Sequence, residues 1–184
     1  MPKLIMYGLG NNDPKYFNTK HNVGRILLEK IVNAQGLEFT QKNNFNFCRL
    51  ENIYFIYSSG FMNESGLPLA NFVNYFKLTD FNLLIFQDDS DQQSGKIKLL
   101  QGGGSAGHHG INSIYKHFGP RKLEFWRLKL GIRPVNNHLK SENFVLSLVT
   151  QEDLFNYSKI QEIIIQEILS KADFNIAQNK INGL

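Results

Sequence analysis

Lys3-Leu4-Ile5-Met6-Tyr7-Gly8-Leu9-Gly10-Asn11-Asn12-Asp13-Pro14 is the stretch that decides the fold. Lys3 to Leu9 is an apolar run of strand length that reads as a buried first strand, and Gly10 to Pro14 carries the residues of a tight turn. A helical pattern follows from about Asn22 to Ala34, with Val23, Ile26, Leu27 and Ile31 on one face and His21 where the helix begins. Strand, turn and helix in this order place Asn11 and His21 on the rim beyond a strand end, where open α/β sheets hold their ligands.

Outward from that unit, strand-like runs recur at Phe45 to Leu50, Ile53 to Ser58, Leu83 to Gln87, Lys96 to Leu100 and Arg127 to Ile132. Helical patterns cover Ser65 to Phe76 and Gly110 to Phe118. A last helix is announced by Thr150 and Asp153, a capping box with Asp in place of Glu, ahead of the stripe Leu154, Ile160, Ile163, Ile164 and Ile168. The interleaving predicts an α/β fold, a three-layer α/β/α sandwich on a mixed, largely parallel sheet. No repeat, linker or compositional break divides it, so one domain spanning 1–184 is expected.

Composition narrows the classes of function. With 184 residues, 42% of them hydrophobic, the chain is large enough for a sizeable core. A net charge of +4 suits a polyanionic partner without demanding one. Cys48 is the only cysteine, which excludes an intrachain disulfide and a thiolate zinc cluster and fits a reducing compartment. The N-terminus lacks the pattern of a secretory signal, and no segment has the length of a membrane span. A cytoplasmic protein without membrane contact is expected, with a mitochondrial or other organelle matrix as the alternative.

Chemistry gathers in two further places. Asp88, in Gln87-Asp88-Asp89-Ser90-Asp91, falls just past a strand end, where a carboxylate can orient an imidazole and stabilise its cation. The same acidic run could instead ligate a divalent cation or form a solvated turn; a cation needs several converging oxygen ligands, and no second cluster is visible. Gly102-Gly103-Gly104-Ser105-Ala106-Gly107-His108-His109-Gly110 matches G-x-G-x-x-G. A dinucleotide site also requires the first βα turn and an acidic residue about twenty positions on, whereas Arg121 and Lys122 follow here. The preferred reading is a loop whose amides and helix N-terminus approach a substrate closely, against a plain flexible turn.

Gly8-Leu9-Gly10-Asn11, Tyr16, Thr19-Lys20-His21-Asn22, Phe61-Met62-Asn63 with Ser65-Gly66, the acidic run, the Gly-rich loop and Ala177 to Asn182 together resemble the bacterial and organellar peptidyl-tRNA hydrolases in order and spacing. The resemblance implies hydrolysis of the ester joining peptide to tRNA, which recycles tRNA, with no metal and no cofactor. It implies His21 as general base, Asp88 as the group that polarises it, and Asn11 and Asn63 as residues gripping the peptidyl substrate. Tyr16 and Phe61 would line the place of the terminal adenosine and peptide. The implied partner is peptidyl-tRNA, and the implied state is a monomer.

Three departures accompany the resemblance. His109 stands where the family has an asparagine that positions water or substrate; an imidazole donates and accepts one hydrogen bond each but differs in length and shape and can take up a proton. Gln87 stands for the usual histidine, with Asp89-Ser90-Asp91 after Asp88 for Glu-Leu-Asp, and Ser58-Ser59-Gly60 replaces a Pro-x-Thr pattern. A family relative that binds tRNA or the ribosome without turnover is therefore the alternative. Lys96, Lys98, Arg127 and Lys129, with Arg121, Lys122 and Arg133 nearby, are expected to meet tRNA phosphates. Phe125 and Trp126 are expected in the core, and His117 and His138 are given no role.

Overall fold

The computed structural model describes residues 3–119, 124–135, 140, 144–170 and 174–183. Seven strands form one sheet in the order β2-β3-β4-β1-β5-β7-β6: β1 (Lys3–Gly8), β2 (Thr40–Lys42), β3 (Phe45–Leu50), β4 (Ile53–Ser58), β5 (Phe81–Gln93), β6 (Ile97–Gln101) and β7 (Trp126–Arg133). The four central strands β4, β1, β5 and β7 run parallel. The outer strands pair antiparallel, β2 on β3, β3 on β4 and β6 on β7, which makes the sheet mixed as expected.

Because successive strand residues point to opposite faces, each central strand is apolar on both sides. From β1 and β5, Leu4, Met6, Leu84 and Phe86 enter one core with α1 (Val23–Ala34), α4 (Gln151–Ile163) and α5 (Phe174–Asn182). Ile5, Tyr7, Leu83 and Ile85 enter the other with α2 (Gly66–Tyr75) and α3 (His109–Phe118). This is the three-layer sandwich. Each fully buried Leu, Ile or Phe contributes on the order of 1.5–3 kcal/mol. Phe125 and Trp126 are core residues as predicted. Gly24 lets α1 lie directly on β5, since a Cβ there would collide with the Phe86 carbonyl.

Three features of the chain differ from the sequence reading. β5 does not stop at Gln87: it runs on to Gln93 by pairing with β7 through an irregular register after Asp89, so the acidic run lies in a strand and not in a turn. β2 and α5 are additional elements, and α4 continues as π-helical turns over Ile164–Leu169. The capping box is present as read, with Thr150 Oγ1 accepting from the Asp153 N–H at 3.1 Å. Arg121, Lys122 and His138 lie outside the described residues.

Candidate active site

The sequence after β1 folds back on itself through asparagines. The Asn11 N–H donates to Asn22 Oδ1 at 2.8 Å and Asn22 Nδ2 donates to the Asn11 carbonyl at 2.9 Å, which ties the strand end to the turn carrying His21. His21 sits in a single 3-10 turn, Lys20–Asn22, that leads into α1. A distant segment fixes that turn: the His21 N–H donates to the Val145 carbonyl at 2.8 Å and the Lys20 N–H to the Ser147 carbonyl at 2.9 Å. Lys20 is buried, its Nζ 3.2 Å from the Ile132 carbonyl and 3.7 Å from Asp153. The backbone of His21 is thus held on both sides.

At the centre, Asp88 Oδ1 faces two imidazoles, His21 Nδ1 at 3.0 Å and His108 Nε2 at 2.8 Å. The tautomers follow from the neighbours. His108 is the N-cap of α3, and its Nδ1 accepts from the Gly110 N–H at 3.1 Å and the Ile111 N–H at 3.4 Å. The His108 proton therefore sits on Nε2 and is donated to Asp88. The same carboxylate oxygen receives the His21 Nδ1–H, which leaves His21 Nε2 as the lone pair turned to the cleft. Burial works against charge on Asp88, yet the two imidazoles and their hydrogen bonds hold its carboxyl well below the usual range. Burial likewise opposes charge on His21, and the Asp88 carboxylate overcomes it, raising the His21 pKa.

His21, Asp88 and His108 are also the one group of potential metal donors among the described residues. The hydrogen bonding argues against an ion there. His108 Nδ1 is committed to two backbone amides, so its Nε2 holds a proton and has no lone pair to offer a metal. The acidic run is no better suited, because Asp89 is neutralised by Lys129 at 2.6 Å.

Two clefts flank this centre. One of about 320 Å³ is lined by His21, Gln87, Asp88, Ser105, His108 and Lys129 among others. The second, of about 540 Å³, is lined by Asn63, Leu67, Pro68, Asn112 and His117. His109 belongs to both walls. Asn11 is buried, and its Oδ1 accepts the Met62 N–H at 2.8 Å, so it fixes the neighbouring Asn63 and has only its Nδ2 to offer a ligand. Tyr16, under the Lys15 ammonium at 4.7 Å, and Phe61, half exposed beside Met62, line neither cleft.

The expectations for the Gly-rich loop and the basic residues need correction. The Gly110 and Ile111 amides in the first turn of α3 are capped by His108 itself. Arg127 is no phosphate contact: it is 3% exposed, and it donates to the Gly102 carbonyl at 3.0 Å and the Gly104 carbonyl at 2.9 Å, shaping the loop from beneath. Lys129 is engaged by Asp89, as above. Lys96 and Lys98 are exposed, on the turn before β6 and on β6 itself. His108 went unassigned in the sequence reading; its one signal is a polar side chain just before Gly110 and the apolar pattern of α3, an N-cap position filled by an uncommon residue.

Comparison with known proteins follows this geometry. A family model described as peptidyl-tRNA hydrolase matches residues 5–183. The fold is similar to that of the peptidyl-tRNA hydrolase from Acinetobacter baumannii, with 26% identity over 98% of this chain and 94% of that one and a TM-score of 0.78. A peptidyl-tRNA hydrolase in complex with n-propanol matches with the same identity, coverage and TM-score. An arginine-to-glutamine variant of the Acinetobacter baumannii enzyme aligns with a TM-score of 0.79, again at 26% identity over 98% and 94% of the two chains.

Proposed function

The chain belongs to the peptidyl-tRNA hydrolase family and hydrolyses peptidyl-tRNA, and we propose from that premise that His21 is the general base and Asp88 its partner. His21 Nε2 takes a proton from water, and the hydroxide attacks the ester carbonyl. The tetrahedral oxyanion collapses by expelling the ribose oxygen, which recovers the proton from His21. Products are a free tRNA hydroxyl and the peptide's carboxylic acid, which then ionises by releasing its proton to solvent. Asp88 stabilises the imidazolium in between. Asn11 Nδ2 and the Asn63 amide grip the peptidyl part, with Tyr16 and Phe61 at the approach. The observation that supports this most is the single carboxylate oxygen of Asp88 held between His21 and His108. Cleavage of N-blocked aminoacyl-tRNA, with free aminoacyl-tRNA as control, is the direct test. Loss of activity with EDTA, restored by Mg²⁺ or Zn²⁺, would sink the metal-free mechanism; unchanged activity is expected.

A binding factor without turnover is not favoured, since the family model and the similar structures are those of peptidyl-tRNA hydrolases. His109 nevertheless invites a measurement, because it forms part of both cleft walls. If its imidazole substitutes for the family's amide, His109→Asn will hydrolyse at the native rate or a few-fold faster. A dead native protein that His109→Asn revives would reverse the assignment.

The remaining basic residues supply tRNA affinity without reading sequence. Removing the charge at Lys96 or Lys98 should lower the slope of log affinity against log salt by about 0.7 to 0.9 for each phosphate no longer neutralised. Arg127→Ala should instead slacken the Gly-rich loop and leave that slope unchanged. Filter binding across a salt series separates the two, and equal slopes in all variants would remove Lys96 and Lys98 from the tRNA face. With this reading go a monomer and action in the cytoplasm or an organelle matrix. Among the described residues, no helix is long and apolar enough to cross a membrane.

A further inference from the structure

Arg25 is the third residue of α1 and is 9% exposed. Helix geometry does not ask for it there: a cation in the first turn faces the positive end of the helix dipole, and a buried one is unfavourable unless it is paired. Its guanidinium is accordingly held on several sides. Nε donates to Glu29 Oε1 at 2.7 Å, and the group lies over the rings of Tyr57 and Phe17, 4.1 Å and 4.8 Å from their centroids. Glu29, four residues on in the same helix, would suffice as the counter-ion. Arg25 Nη1 nevertheless reaches out of α1 to the loop after β1 and donates to Asn12 Oδ1 at 2.6 Å. Asn12 passes this anchor to the segment that follows β4. Its N–H donates to the Gly60 carbonyl at 3.0 Å and its Nδ2 to the Ser59 carbonyl at 3.3 Å. Asn11 makes the parallel contact, its Oδ1 accepting the Met62 N–H. The two loops are thereby clasped side by side, and the residue after Met62 is Asn63, which with Gly60 lines the cleft of about 540 Å³.

We propose that Arg25 is a positioning residue for substrate binding, which through Asn12 sets the segment 59–62 and with it the place of Asn63 in the wall of the second cleft. This rests on the reading of Asn63 as a grip on the peptidyl part. A planar guanidinium bonded at two nitrogens and packed on two rings has little freedom to turn, so it holds Asn12 in one place. Arg25 itself lines neither of the two clefts beside His21, Asp88 and His108. The catalytic pair is fixed by other contacts, His21 by the Val145 carbonyl and Asp88 by the β5–β7 pairing. Loss of Arg25 therefore weakens the grip on ground state and transition state alike, which raises KM and spares kcat.

The test is steady-state kinetics on N-blocked aminoacyl-tRNA with two pairs of variants. Arg25→Met keeps an unbranched apolar stem for Tyr57 and Phe17 and removes the guanidinium. It should raise KM about 5- to 50-fold, short of the roughly 10²-fold that a misplacement of about 1 Å can cost, with kcat within about two-fold of native. Asn63→Ala should raise KM to a similar extent. The double variant should be no more than about two-fold worse than the poorer single one, because effects that pass through one contact do not add. In the second pair, Asn12→Ala should match Arg25→Met, whereas Asn12→Asp, which keeps an oxygen for Nη1 and loses the bond to Ser59, should recover KM to within a few-fold of native. Effects of Arg25→Met and Asn63→Ala that multiply, a fall in kcat with KM unchanged, or a native KM in Arg25→Met would each overturn the proposal. Should Arg25→Met not fold, a native KM in Asn12→Ala, or an Asn12→Asp as impaired as Asn12→Ala, would do the same. A native KM in Asn63→Ala would overturn the grip reading together with the role of Arg25; every other failure leaves that reading standing.

Discussion

His21→Ala lowers the rate of peptidyl-tRNA hydrolysis by about 10²- to 10⁴-fold, the usual contribution of a positioned general base. The size follows from the geometry. Asp88 Oδ1 takes the Nδ1–H of His21 at 3.0 Å, so the proton acceptor is Nε2, and the ring cannot present its other nitrogen to water without breaking that bond. His108 cannot take over the task, because both its nitrogens are committed, to Asp88 and to the amides of α3. His109 is exposed, and among the described residues the histidines paired with a carboxylate are His21 and His108. Single-turnover kinetics at saturating substrate, with tRNA affinity measured separately, read the chemical step. A variant keeping more than about half the native rate would remove His21 from the mechanism.

Asp88→Asn is expected to be nearly as severe, about 10²-fold or more, and to leave a mark on the pH profile that His21→Ala cannot. The negative charge of Asp88 raises the His21 pKa against the opposing effect of burial. A base must be unprotonated to act, so native kcat/KM should climb with pH along a limb centred above the ordinary imidazole value of about 6.5. With a neutral asparagine the imidazole sheds its proton more readily, so the limb moves to lower pH and the deficit against native narrows under acid conditions. The amide can still accept from one or both rings, so the fold should persist and tRNA affinity should be nearly unchanged. Coincident limbs in the two proteins would show that Asp88 acts on something other than the proton affinity of His21.

How far the sequence told this in advance depends on where the determining partner lies. β1, β3, β4 and β7 were legible because their apolar and alternating residues meet partners of the same kind on either face. α4 was legible at its start because Thr150 and Asp153 satisfy each other within one turn. The polar end of β5, Asp88 to Gln93, has no such signature; β7 on one side imposes its extended form through ladder bonds. β2 is three exposed residues whose only reason to be extended is β3. The site divides in the same way. His21 stands just beyond the end of β1, a place the topology predicts, whereas Asp88, read as just past a strand end, lies within β5. Arg127 and Lys129 alternate with Leu128 and Leu130, and what they meet on their own face, two glycine carbonyls and Asp89, comes from residues 23 to 40 positions away. No local pattern announces such pairings, which is why charges expected on a tRNA face proved to be internal.

The segment from Val145 to Val149 that grips the turn around His21 has a consequence for the order in which activity appears. Thr19 forms a bridge with Leu148, and Lys20, His21 and Val149 exchange backbone bonds across about 125 residues of sequence. Contacts so far apart in the chain are among the last to be secured as it folds. A ribosome making this protein releases β1, the His21 turn and α1 first, but that turn has no opposing segment until four-fifths of the polypeptide has been synthesised. The nascent protein is itself a peptide esterified to tRNA. By tying its base to residues that emerge late, the molecule keeps its hydrolytic centre unassembled through most of the interval in which its own linkage to tRNA must survive.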